Sequence, residues 1–175
     1  MTTSILSDLI RPNLRLVICG SAAGTTSAVR NAYYAGRGNR FWKIMHEIGM
    51  TGDRQLDPEE WRRLDEFDVG LTDLAKSHFG MDNQLPAGCY DNQRLQHIIE
   101  EAQPSILAFN GITAARHFLG RPIEFGEQVE KIGQTEIWVL PSTSGAANGF
   151  WNADIWKQMS DNARLPNIGI FLDYR

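Results

Sequence analysis

Apolar residues gather in short runs that end in small or polar residues. Leu14-Arg15-Leu16-Val17-Ile18-Cys19 leads into Gly20-Ser21-Ala22-Ala23-Gly24. Ser105-Ile106-Leu107-Ala108-Phe109 leads into Asn110-Gly111. Glu136-Ile137-Trp138-Val139-Leu140 leads into Pro141-Ser142-Thr143-Ser144-Gly145. Each run predicts a buried parallel strand feeding a tight loop. Val69-Gly70-Leu71-Thr72 predicts one further short strand, ending at Asp73.

Between these runs the apolar period lengthens to that of a helix. Phe41, Ile44, Met45 and Ile48 predict a helix over 39–48, closed by Gly49. Asp57-Pro58-Glu59-Glu60 combines an N-cap, a proline at the first helical position and a capping-box glutamate, so a second helix opens there. Leu95, Ile98 and Ile99 give a helix over 91–102 that Pro104 stops. A helix over 112–119 closes at Gly120, and Asn152 caps a last one running to about Arg164. Strands alternating with helices predict an α/β domain: a three-layer α/β/α sandwich around a central, mainly parallel four-stranded sheet. No repeat, linker or low-complexity tract divides the 175 residues, so residues 1–175 read as a single domain.

Composition narrows the class. With 42% hydrophobic and 22% charged residues the chain is an ordinary globular protein and not a disordered one. Two cysteines, Cys19 and Cys89, are too few for a disulfide framework or a four-cysteine metal site. Four scattered histidines, His46, His78, His97 and His117, show no metal-ligand spacing. No membrane span or signal peptide is evident, so a cytoplasmic protein without metal or cofactor is the expectation. The net charge of −4 is unevenly spread. No acid lies between Asp8 and Glu47, a stretch holding Arg11, Arg15, Arg30, Arg37, Arg40 and Lys43, while acids dominate from Glu47 to Asp68. The basic sector could face phosphate, or it could be a solvated surface.

Ligands of an open parallel sheet bind beyond the carboxyl ends of its strands. Four loops fall there, at 20–24, 73–76, 110–111 and 142–148. Gly20-Ser-Ala-Ala-Gly24 is neither a GxGxxG fingerprint nor a P-loop, so no dinucleotide or nucleoside-triphosphate site is supported.

Five segments in order carry a family resemblance: the strand with GSAAG, Asn39-Arg40-Phe41-Trp42-Lys43, Gly70-Leu71-Thr72-Asp73-Leu74, Ala108-Phe109-Asn110-Gly111, and Trp138-Val139-Leu140-Pro141-Ser142-Thr143-Ser144-Gly145. From Leu14 to the last helix the chain resembles the uracil-DNA glycosylase superfamily, most closely its mismatch-specific uracil/thymine branch. The resemblance implies an enzyme that flips a base out of DNA and hydrolyses its N-glycosidic bond. It implies backbone donors at Gly20, Ser21 and Ala22 toward uracil and a stacking role for Tyr34. It further implies substrate contacts at Asn39, Asn110 and Ser142. Phosphate or groove contacts would come from Ser27, Arg30, Arg40, Lys43, Ser144, Gly145, Ala146, Ala147 and Asn148. The expected partner is uracil-containing DNA, single-stranded or mismatched, met by a monomer.

Two departures qualify this. Where the branch places a water-positioning Asn in its first loop, Ala22 stands here, and a methyl group cannot orient water. Asp73 is the candidate to take over, as a carboxylate able to position water and stabilise a sugar cation. Alternatively Asp73 caps a helix begun by Leu74-Ala75-Lys76. Second, Ser142 replaces a His or Asn, and Ala146-Ala147-Asn148 is small for a segment that must fill the gap of a flipped base. Phe150 or Trp151 could supply bulk there, although core packing suits both. The rival expectations are a catalytically weak binder of uracil or abasic DNA and a small-molecule α/β enzyme sharing the fold.

Overall fold

The computed structural model describes residues 3–163, so Arg164, the expected end of the last helix, lies outside the described residues. Five strands form one sheet in the order β2-β1-β3-β5-β4. They are β1 (Leu16–Ala23), β2 (Val69–Phe79), β3 (Ile106–Asn110), β4 (Gly126–Ile132) and β5 (Thr135–Leu140). The first three and β5 run parallel; β4 is antiparallel to β5 at the edge. The helices are α1 (Thr25–Arg30), α2 (Phe41–Glu47), α3 (Asn92–Ala102), α4 (Ile112–Leu119) and α5 (Ala153–Asn162), with 3-10 segments at Pro58–Phe67, Asp82–Gln84 and Gly145–Phe150.

The two-residue period of each strand divides the interior into two cores. Leu16 and Ile18 of β1, Leu71 of β2, Ala108 of β3 and Trp138 of β5 pack against α2, the 3-10 segment and α5 through Phe41, Trp61 and Trp156. Val17 and Cys19, Leu74, Phe109 and Val139 pack on the other face against Leu95 and Ile99 of α3 and Ala114 and Ala115 of α4. This is the expected three-layer α/β/α sandwich, with five strands where four were expected.

The fifth strand, β4, carries little apolar signal. Only Gln128 and Ile132 of Gly126–Ile132 are buried, and the Gln128 amide donates to the carbonyls of Glu124 and Gly126. Two expected strands also run further than their apolar cores. The Gly20–Ala23 stretch, read as loop, continues β1, because β2 pairs with it. Likewise β2 does not end at Asp73 but continues to Phe79, so Leu74-Ala75-Lys76 is strand and Asp73 caps no helix. The Asp57 segment has the expected capping box, with the Glu60 carboxylate accepting from the Asp57 amide at 2.9 Å, but it winds as 3-10 helix. Asn152 caps α5 by accepting from the Asp154 amide. Among the described residues no helix is long and apolar enough to cross a membrane.

Candidate active site

The site lies where β1 outruns one neighbour. β3 pairs with β1 only as far as Cys19 opposite Phe109, whereas β2 accompanies β1 to Ala23. From Gly20 onward β1 therefore has a strand on one edge only. The opening falls at the carboxyl ends of β1 and β3, where the strand order changes direction. Open α/β sheets bind their ligands at such points.

Asp73 sits in this opening, directly across from Gly20 in the β1–β2 register. It is 3% exposed. Its hydrogen bonds among the described residues run through its backbone, the carbonyl accepting from Arg94 Nη2 at 2.7 Å. Burial, opposed by the Lys76 and Arg94 charges, pushes its carboxyl up to about 6. A buried carboxylate without protein donors is costly unless something else supplies hydrogen bonds. At neutral pH it is ionised, hence able to hold a water and to face a developing cation.

Gly20 is glycine because of this carboxylate. A Cβ there would stand 2.5 Å from Asp73 Oδ1 and 3.3 Å from the Tyr34 hydroxyl. Gly20→Ala is expected to displace Asp73, destabilising the fold by roughly 1–3 kcal/mol and lowering excision of uracil about tenfold or more. Urea unfolding and an excision assay on the same preparation would check it; unchanged values in both would show that Asp73 swings aside freely.

Tyr34 reaches the same opening from a left-handed backbone, φ 54°. One face of its ring is covered by Phe41, stacked at 4.0 Å and 23°. Among the described residues its buried hydroxyl makes no well-aligned hydrogen bond; burial and the Asp73 charge push the phenol well up against a weaker opposing pull from the nearby Asn110 side chain, so it stays a neutral donor. The residue as a whole is partly exposed.

Other expected contacts are used by the scaffold. The Asn110 amide donates from Nδ2 to Thr143 Oγ1 at 2.9 Å and accepts from the Thr143 amide at 3.0 Å, tying β3 to the next loop. Asn39 Oδ1 accepts from the Phe41 amide at 2.9 Å and so opens α2. Ser142 Oγ accepts from the Ser144 amide at 3.2 Å, which leaves its own proton free to donate. Ser21 Oγ donates to the Asp82 carboxylate, on the face away from Asp73. Ala22, paired with Ala75, returns to the Asp73 face with only a methyl group.

The expected phosphate contacts divide similarly. Ser27 is 4% exposed and its Oγ accepts from the Ala35 amide at 3.0 Å, so it is a packing residue. Arg30 donates to Glu59 at 2.7 Å. Arg11 pairs with Asp65 and Asp68, and Arg15 donates to the Phe67 carbonyl. Much of the basic sector thus lies against the acidic one, and the two neutralise each other. Arg40 stays at the rim, bonded to Asn148 and set over the Trp151 ring at 5.3 Å. Lys43 is mostly exposed, 3.9 Å from Glu47. Ser144 caps the 3-10 segment holding Gly145, Ala146, Ala147 and Asn148. There Phe150 is 74% exposed, against the expectation of core packing, while Trp151 does pack on the core.

A cavity of about 430 Å³ lies on the opposite face, walled by Asp82, Tyr90, Asn92 and His117. Asp73, Tyr34 and Ser142 do not line it, and the chemistry follows them. Sequence reasoning missed Asp8, Arg94 and the role of Lys76 beside Asp73. Their only trace was Asp8 standing as the last acid before the acid-free stretch.

A solution NMR structure of a candidate uracil DNA glycosylase from Methanosarcina acetivorans superposes with a TM-score of 0.66. It covers 93% of this chain and 98% of that one at 20% sequence identity, a likeness that carries the fold alone. The sequence profile of the uracil DNA glycosylase superfamily matches residues 7–160, which include every strand and the Asp73 opening. The chain therefore belongs to the uracil DNA glycosylase superfamily.

Proposed function

We propose that this protein is a monofunctional glycosylase of the mismatch-specific uracil/thymine branch, removing uracil from DNA and leaving an abasic site for base excision repair. The observation that carries the reading is Asp73, a buried carboxylate with no donor on its oxygens among the described residues, set over Gly20 where β1 has lost its β3 neighbour. As the glycosidic bond stretches, the sugar becomes cation-like and the uracil anionic. Asp73 supplies negative charge to the sugar and holds the attacking water. The anionic base takes hydrogen bonds from backbone N–H groups at Gly20–Ala22 and from the free Ser142 hydroxyl. Tyr34 offers its uncovered face to the base; stacking of this kind is worth roughly 1–3 kcal/mol.

Asn110 shapes the pocket, its amide engaged at both ends by Thr143, whereas Asn39 spends only its Oδ1 on opening α2 and keeps its Nδ2 for a substrate contact. Lys76, the lysine nearest Asp73 in sequence, is ion-paired with Asp8 at 2.8 Å, so its amine is not free to form a Schiff base and the DNA backbone is left uncut. Arg40 and Lys43 supply the phosphate contacts at the rim. The small Ala146-Ala147 segment wedges poorly, which favours single-stranded or weakly paired uracil.

The test is the formation of alkali-labile abasic sites on uracil-containing oligonucleotides, single-stranded, mismatched and fully paired. The expected result is excision, fastest on the single strand. Salt-dependent DNA binding without abasic sites would favour a protecting binder instead. Neither binding nor excision would end the DNA reading.

A further inference from the structure

The segment before β1 runs antiparallel along the outer edge of β2. The Ile5 amide donates to the Lys76 carbonyl at 2.7 Å, and Leu9 exchanges two backbone bonds with Leu71. This register sets Asp8 beside Thr72 and Asp73. One Asp8 carboxylate oxygen accepts from Thr72 Oγ1 at 2.6 Å and from Lys76 Nζ at 2.8 Å. The other accepts from Arg94 Nη1 at 2.8 Å. Arg94 then donates through Nη2 to the Asp73 carbonyl at 2.7 Å. Lys76 also donates to the Tyr33 hydroxyl at 3.1 Å, and that hydroxyl donates to the Ser7 carbonyl. Two cations from two elements thus converge on one acid, next to the strand position of Asp73. Side-chain exposure is only 9% for Lys76 and 24% for Arg94, so water screens these charges weakly.

We propose that Asp8 is a positioning residue for Asp73: it gathers Lys76 and Arg94 into a three-way ion cluster against β2 and thereby fixes the net charge that the Asp73 carboxyl faces. The inference rests on Asp73 being the water-handling group. Around that carboxyl stand Asp8 from the N-terminal segment, Lys76 of β2, Arg94 of α3, Cys19 of β1, and Tyr33 and Tyr34 from the connection before α2. Burial holds the Cys19 thiol and both phenols neutral. Among the described residues three of these neighbours therefore carry charge. Lys76 and Arg94 favour the carboxylate, and Asp8 disfavours it. Without Asp8 the two cations would act on Asp73 unopposed.

This arrangement makes two substitutions that break the same ion pair act in opposite directions. Asp8→Asn removes the opposing acid, and the Asp73 midpoint is expected to fall by about one pH unit. Lys76→Met removes a favouring cation, and the midpoint is expected to rise by about one unit. Simple damage to the cluster would move both the same way. The readout is an NMR titration of the Asp73 carboxyl carbon in wild type and both variants, which needs no turnover. Shifts of opposite sign support the assignment. Unmoved midpoints, or shifts of one sign, overturn it. Should Asp8→Asn fail to fold, the rise in Lys76→Met decides alone, and its absence overturns the proposal.

Excision measured against pH is run beside it. The acid limb of the rate should follow each titrated midpoint. A carboxyl that shifts as expected while Asp73→Asn retains the wild-type rate would end the water-handling role and leave the charge assignment standing.

Discussion

Asp73→Asn is expected to lower uracil excision by about 100-fold or more, the range that a positioned acid–base group commonly supplies. The substitution keeps the size and shape of the side chain but removes its charge. Among the described residues near the opening none can replace that charge. Ala22 carries a methyl group on the same face, Asn110 is committed to Thr143, and Tyr34 is held neutral by burial. An amide can still accept a hydrogen bond from water, so DNA affinity should change little while the chemical step slows. Single-turnover excision at saturating enzyme separates the two, because it reads the bond-breaking step without product release. A wild-type rate in Asp73→Asn would remove Asp73 from the chemistry. With helix capping already excluded by the strand around it, Asp73 would then be left with no role that its structure explains.

The elements legible in the sequence were those whose apolar residues repeat cleanly. Leu16 to Cys19, Ile106 to Phe109 and Ile137 to Leu140 are buried on both faces, and continuous apolar runs betray such strands. What was illegible had its cause in pairing. Gly20–Ala23 and Leu74–Phe79 are strand because each lies beside the other, a fact no local pattern contains. β4 is polar because it is an edge strand with one face exposed. The same distinction runs through the site. Asp73, Gly20 and Tyr34 were picked by family pattern, and the fold gathers all three within one opening. The pairing of the charge clusters was illegible because linear charge does not reveal what it folds against. Arg11 and Arg30 meet the acids of the Pro58–Phe67 segment. Asp8 and Arg94, 86 residues apart, meet only because the N-terminal segment lines β2.

The same substitution that is expected to slow excision is expected to stabilise the protein, and only above a definite pH. The Asp73 carboxyl is raised from its ordinary value of 3.8 to about 6 in the folded chain. Well below pH 3.8 both folded and unfolded chains hold the proton, and the group has no effect on stability. Between 3.8 and 6 the unfolded chain releases the proton first, so stability falls as pH rises through this window. Above pH 6 the full penalty is present, on the order of 2–3 kcal/mol at about 1.4 kcal/mol per unit. Asp73→Asn removes the penalty and leaves a smaller one for burying an amide. The variant should therefore be about 2 kcal/mol more stable than wild type at pH 7, with the gap closing near pH 4. Urea unfolding of both proteins at the two pH values checks it. A gap of equal size at both would mean that the folded carboxyl titrates at its ordinary value. Unpaired burial is then the condition of its use: donors placed on Asp73 would stabilise the fold, but they would occupy the oxygens that water and the sugar require.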